Sequence, residues 1–215
     1  MLVKDYMTKH PLMVEPTMPI VEAQRLMGEN NIRHLPVTGK GKRLLGLITR
    51  QALLLQPAKL GSLNVWEISR FLSKLTVGEV MVKDVITVGK DATLEDAARI
   101  MVENKIGCLP VLEEGIVVGI ITEIDLLAQL MEMMATRVPG VRVTVRMPDQ
   151  KGELAKLVSA ISAQGWGILA CGGVHFPKDP TKWDAVVKIR NVPKGEIVAA
   201  VEKIEGQEIV DVREA

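Results

Sequence analysis

Cysteine is almost missing from this chain: Cys108 and Cys171 are the whole supply. Two are too few for a disulfide framework and point to a reducing compartment. Aromatics are also sparse, with three Trp, two Phe and one Tyr, and no basic stretch is interleaved with them. The net charge is +1, so no bulk field favours nucleic acid or an anionic membrane. The three histidines, His10, His34 and His175, show no metal-ligand spacing. No apolar run reaches the ~20 residues that span a bilayer. The opening MLVKDYMTKHPLMVEP has no apolar core of a signal peptide. Neither a nucleophile–base pair nor a Walker loop is visible, which argues against catalysis. These shortages give the expectation of a soluble, cytoplasmic, non-enzymatic protein without nucleic-acid or membrane partners.

What the chain does have is a repeat. Shifted by 74 positions, Met7–Val37 lies over Met81–Val111 with twelve identities: Met7, Lys9, Val14, Ala23, Arg25, Met27, Glu29, Asn30, Ile32, Leu35, Pro36 and Val37. After a one-residue deletion, Gly46-Leu-Ile-Thr49-Arg-Gln-Ala52 lies over Gly119-Ile-Ile-Thr122-Glu-Ile-Asp125. Such a repeat implies one supersecondary unit made twice around a pseudo-two-fold axis. With 47% apolar residues, the 215-residue chain has material for one large or two small cores. The copies differ at one polar position, Asp125 against Ala52, so two clefts are expected, one of them impaired.

Each copy reads as strand–helix–strand–strand–helix. In the second copy the β-branched run Val85–Val88 predicts a strand. Thr93 and Asp96 predict a capped helix with Leu94, Ala97, Ala98, Met101 and Val102 inward. Strands over Cys108–Leu112 and Ile116–Thr122 follow, joined by a turn at Gly115, and then a helix over Asp125–Met134. In the first copy Pro19 opens the helix, with Ile20, Ala23, Leu26 and Met27 inward, and the last helix begins near Gln51. Between the copies, a helix is predicted to pack Trp66, Ile68, Phe71 and Leu72. Pro139-Gly140 reads as a boundary. Beyond it, Val141–Met147 alternates as a half-buried strand. A helix over Gly152–Gln164, strands over Trp166–Val174 and Ala185–Ile189, a helix over Ile197–Ile204 and a strand over Glu208–Val212 complete a ferredoxin-like βαββαβ order.

The hydrophobic-Leu-Pro-Val strands (Leu35–Val37, Leu109–Val111) and the Gly119-x-x-Thr122-x-x-Asp125 segment resemble the CBS domain. The resemblance covers residues 1–134. The connecting Leu63–Leu75 is similar to the linker of acetoin-utilisation AcuB-type proteins. Asp149-Gln-Lys-Gly152-Glu-Leu154 and Gly165-Trp-Gly167-Ile168 resemble an ACT domain, departing from it at Lys151, where Pro is usual, and at Gly167, where Asn is frequent. The resemblance implies an α/β (α+β) protein: CBS repeat 1 over 1–58, a linker helix over 59–76, CBS repeat 2 over 77–136 and an ACT domain over 140–215.

Two readings of Thr122 and Asp125 stand together. In one they cap a helix and satisfy its dipole. In the other, the helix N-terminus and Thr122 hold a phosphate while Asp125 accepts from ribose hydroxyls. The resemblance implies the second, with an adenine nucleotide (AMP, ADP or ATP) or S-adenosylmethionine as regulatory ligand and no cofactor. It implies a site from Leu12, Ile32, Arg33, His34, Gly107, Cys108, Gly119, Ile120, Thr122 and Asp125. Arg33 is placed to meet phosphate, where its fork suits the geometry; its other reading is a solvated strand-edge residue. His34 is equally readable as a partly buried, satisfied histidine, and Cys108, with no His or acid nearby in sequence to activate it, reads by default as a buried core thiol. A second, degenerate cleft has Thr49, Arg50, Ile86 and Ile106, and Ala52 leaves it without a ribose acceptor. In the last domain Asp149, Gly152, Leu154, Gly167 and Ile168 are the candidates for an amino-acid ligand; Asp149 is also readable as a plain N-cap. The Met131–Met134 cluster beside Leu126, Leu127 and Leu130 suggests core or dimer packing, so a homodimer is expected. The competing expectation is a dimerisation module with empty clefts.

Overall fold

The computed structural model describes residues 1–53 and 74–215. They form two compact units, Met1–Leu126 and Leu127–Ala215. The helix expected around Trp66–Leu72 lies outside the described residues. Among those described, no helix is long and apolar enough to cross a membrane.

In the first unit the repeat is visible element by element. Helix α1 (Val3–Tyr6) and the two-residue strand β1 (Thr8–Lys9) precede helix α2 (Ile20–Glu29) and the antiparallel strands β2 (His34–Thr38) and β3 (Leu44–Thr49). Helix α3 (Val77–Val80), strand β4 (Val88–Gly89), helix α4 (Leu94–Asn104) and the antiparallel strands β5 (Cys108–Glu113) and β6 (Ile116–Thr122) form the second copy, in which β4 matches Val14, bridged in parallel to Val37, and Val82 matches Thr8 of β1. Helix α2 starts after Pro19 and buries Ile20, Ala23 and Met27. Helix α4 buries Leu94, Ala97 and Met101, the same positions one repeat later. Its predicted cap is present: Asp96 N donates to Thr93 Oγ1 at 3.0 Å, and Thr93 Oγ1 donates to Asp96 Oδ2 at 2.8 Å. The β5–β6 turn pairs Glu113 with Ile116 across Glu114 and Gly115. Both have positive φ, 51° and 81°, as a tight right-twisting hairpin turn requires.

The copies exchange their leading segments. Strand β1 pairs with β6 of the second copy, Thr8 opposite Ile120 and Lys9 opposite Gly119. Reciprocally, Val82 bridges Leu47 of the first copy. Val3 is fully buried in the core of the second copy, with Leu109, Val111 and Ile121. Val77 is fully buried in that of the first, with Leu35, Val37 and Ile48. This exchange corrects the strand predicted over Val85–Val88. Only Val88 and Gly89 pair, parallel to Val111 and Leu112, while Val82 pairs with Leu47 of β3 and Val85 packs against Leu47. It also explains two glycines. A Cβ on Gly46 would lie 2.5 Å from Met81 Sδ and 2.8 Å from Val82 O; one on Gly119 would collide with Met7 Sδ.

Helix α5 (Glu123–Met133) begins two residues before the predicted start. In the second unit it is followed by strand β7 (Val141–Pro148), helix α6 (Glu153–Ala163), strands β8 (Ile168–His175) and β9 (Lys182–Ile189), helix α7 (Lys194–Val201) and strand β10 (Glu208–Glu214). The order is the predicted βαββαβ. The sheet is antiparallel, β10-β7-β9-β8. Val141, Val143, Val145 and Met147 alternate onto a core with Leu157, Ile161, Val187, Ile189 and Ile197. Several boundaries move. Helix α7 starts at Lys194 because Pro193 sits at its N-cap. Trp166 precedes β8 and packs on the core. Strand β9 begins at Lys182, opposite Pro148. Of the two expectations for the Met131–Met134 run, core or dimer packing, the first is corrected for α5: none of its residues is fully buried, and Leu127, Leu130 and Met133 are each more than half exposed.

Candidate functional site

Two clefts open in the first unit at matching places of the two copies. The first, about 460 Å³, is bordered by Thr8, His10, Pro11, Leu12, Ile32, Arg33, His34, Ile120, Thr122 and Asp125, with Asn30, Asn31 and Ile124. The second, about 580 Å³, is bordered by Val82, Asp84, Val85, Ile86, Ile106, Gly107, Cys108, Leu47 and Thr49, with Arg33, His34, Arg50, Gln51, Lys105 and Glu123. The exchanged segments supply one wall of each. Of the predicted nucleotide residues, Leu12, Ile32, Arg33, His34, Ile120, Thr122 and Asp125 come together at the first cleft. Gly107 and Cys108 line the second instead, because β5 faces the cleft of the other copy. Gly119 lines neither; Met7 covers it. All four residues predicted for the degenerate cleft, Thr49, Arg50, Ile86 and Ile106, border the second. Thr8, His10 and Asp84 were missed. The repeat offered a signal: His10 and Asp84 occupy matching positions under the 74-residue shift, each two residues before a predicted lining residue, Leu12 and Ile86.

The polar pair of the first cleft is held tightly. Thr122 N and Thr122 Oγ1 each donate to Asp125 Oδ2 at 2.8 Å, and Asp125 N reaches Thr122 Oγ1 at 3.4 Å. This reciprocal capping satisfies the start of α5. It fixes the carboxylate at the cleft and leaves Oδ1 without a donor among the described residues. In the second cleft Ala52 N donates to Thr49 Oγ1 at 3.1 Å, and no carboxylate completes the box.

Between the clefts the copies carry opposite charges. Arg50 N donates to Arg33 O at 2.8 Å; at the matching place Glu123 N donates to Gly107 O at 3.0 Å. Thus Arg33 and Arg50 in one copy correspond to Gly107 and Glu123 in the other. Arg33 Nη2 meets Glu123 Oε1 at 3.6 Å. Burial and the neighbouring Arg33 guanidinium hold the His34 imidazole below its usual 6.5, against a weaker pull upward from Glu123. Burial and the Glu123 carboxylate push the Cys108 thiol up to about 12, so it is protonated and inert as a nucleophile at neutral pH. Among the described residues, no group of three or more His, Cys, Asp or Glu side chains is placed to hold a metal.

In the second unit the predicted residues scatter. Gly152 takes φ 92° and sits at the N-cap of α6. This corrects the N-cap reading of Asp149, whose carboxylate lies 3.4 Å from His175 Nδ1. Leu154 and Ile168 pack on the core. Gly167 accepts from Arg190 N at 2.9 Å. A cavity of this unit, about 750 Å³, is bordered by residues 136–141 and 191–193 with Glu214 and Ala215, and includes none of these candidates.

Comparison with known proteins gives the repeat a context. The CBS domain family matches residues 3–58 and 77–132. A crystal structure of a Vibrio cholerae protein assigned to acetoin utilization (AcuB) is 34% identical, with a TM-score of 0.54; the match covers 64% of this chain and 95% of that one. CBSX2 in complex with AMP, a protein also solved from Arabidopsis thaliana, is 30% identical over 60% of this chain and 96% of its own, with a TM-score of 0.51. A CBS domain pair in complex with 5′-methylthioadenosine and S-adenosyl-L-methionine is 30% identical over 61% of this chain and 99% of its own, with a TM-score of 0.50. The chain spans less than half the length of the first curated relatives it matches, from Methanocaldococcus jannaschii and Korarchaeum cryptofilum.

Proposed function

The chain belongs to the CBS domain family, and we propose that its tandem pair is a regulatory sensor, not an enzyme, that binds an adenine nucleotide or adenosyl compound in the Asp125 cleft. The observation that carries this reading is the fixed Asp125 carboxylate, with one oxygen free of donors among the described residues, at the start of a helix facing the cleft. A carboxylate there accepts from ribose hydroxyls, while the helix N-terminus and Arg33 favour phosphate. Leu12, Ile32 and Ile120 supply apolar walls for a base. The relatives crystallised with AMP and with S-adenosylmethionine have this fold. The test is calorimetric titration of AMP, ATP, adenosine and S-adenosylmethionine. Asp125→Ala is expected to cost about 1.5–3 kcal/mol of binding, the scale of a hydrogen bond to a charged group. Unchanged affinity removes Asp125 from the site.

A second reading has its own observation: the Thr122–Asp125 capping box gives both residues a purely structural use. On that reading the pair is a dimerisation module with empty clefts, and none of the four ligands binds.

For the second unit we propose an ACT domain that senses a small molecule such as an amino acid or mediates dimerisation. Its βαββαβ order and the Gly152 turn support this. The exposed Leu127, Leu130 and Met133 on α5 support a homodimer. Light scattering at micromolar concentration tests the assembly; a mass near 23.5 kDa, with and without nucleotide, overturns it.

A further inference from the structure

Arg33 stands between the two clefts and borders both, whereas Glu123 borders only the Ala52 cleft. The two side chains form an ion pair at 3.6 Å, and each is 51% exposed. Glu123 reaches this position because its pseudo-symmetric surroundings are unequal. Where the first copy has Arg33, the second has Gly107, and a Cβ on Gly107 would lie 3.3 Å from the Glu123 carboxylate. The missing side chain lets that carboxylate rest against Gly107 and turn toward Arg33. We propose that Glu123 sets the phosphate selectivity of the Asp125 cleft by holding Arg33 on the side of the other cleft.

This rests on the Asp125 cleft being the nucleotide site. Arg33 meets Glu123 through Nη2, and a bidentate grip on phosphate competes for the donors and the orientation that this pair uses. An adenosyl ligand without phosphate leaves the Arg33–Glu123 pair intact. A nucleotide must draw Arg33 away from Glu123, and so loses part of what the phosphate contact gives. The protein thereby discriminates less between nucleoside and nucleotide than Arg33 alone would make it. Both clefts draw on the same guanidinium, so a phosphate in one competes with a phosphate in the other. Exposure keeps the pair weak, which suits a group that has to swing between partners.

The test is a double-mutant cycle on the full chain, titrating AMP and adenosine against the unaltered protein, Glu123→Gln, Arg33→Ala and the double variant. Glu123→Gln is expected to tighten AMP relative to adenosine by about two- to fivefold, the span of an exposed ion pair. In the Arg33→Ala background that gain disappears. An unchanged AMP-to-adenosine ratio in Glu123→Gln overturns the proposal. An equal gain with and without Arg33 also overturns it, since Glu123 would then act by simple repulsion of phosphate. If adenosine binds and Asp125→Ala abolishes it, the cleft assignment stands whatever the cycle returns. If the unaltered protein binds neither ligand, both readings fall.

Discussion

The two CBS copies are near-duplicates in their cores and opposites in their clefts. Leu35 and Leu109 are both fully buried, and both helices bury matching residues. Yet Asp125 faces Ala52, Arg33 faces Gly107, and Glu123 faces Arg50 across the pseudo-symmetry. A core accepts only side chains of suitable volume, because interiors are close-packed. A cleft surface tolerates reversal of charge, because water solvates whatever is there. The difference teaches that the duplicated fold was kept while the two clefts were given different chemistry.

The largest expected effect tests the equality of the cores. Leu35→Ala and Leu109→Ala should each cost about 2–5 kcal/mol of stability by leaving a cavity. Chemical denaturation measures both, and a large disparity would mean that the copies do not share the load. Next come the glycines under the exchanged segments. Gly46→Ala should cost about 1–3 kcal/mol, since its Cβ meets the fixed Val82 carbonyl as well as Met81. Gly119→Ala should cost less, because only the flexible Met7 side chain has to move. Equal melting points for the two variants would break this distinction.

The smallest effect is the pH response of His34. Its folded pKa lies below 6.5, so between the two values the unfolded chain binds more protons than the folded one. Stability is therefore intact above pH 6.5 and declines as acid is added through the folded pKa. His34→Gln should flatten the fall of the denaturation midpoint as the pH drops below 6.5, relative to the unaltered protein. The same slope in the variant would assign that titration elsewhere.

Much of the fold was legible because periodicity is local. Thr93 with Asp96 announced a helix start, and Val141–Met147 announced a half-buried strand. The boundaries that moved did so for reasons of partnership: Val85–Val88 has the composition of a strand, but its leading residues lie beside the other copy. The candidate cleft was legible in the residues the repeat made conspicuous, Thr122, Asp125, Leu12 and Arg33. The family resemblance put Gly107, Cys108 and Gly119 in the same cleft, whereas the strand pairing turns the first two to the other cleft and covers the third with Met7.

By itself the sequence determined the duplication, the element order of each copy and the βαββαβ order that follows, because hydrophobic spacing and capping residues act within a few positions of themselves. It also determined that only one copy carries the Asp125 carboxylate. The tertiary structure decided which residues share a cleft. Exchange of the leading segments carries Thr8, His10 and Leu12 to the second copy's strand and Val82 and Asp84 to the first copy's. It also brought Arg33 to Glu123, 90 positions away. Strand pairing across a two-fold joins residues by register rather than by spacing, and no local pattern records that register.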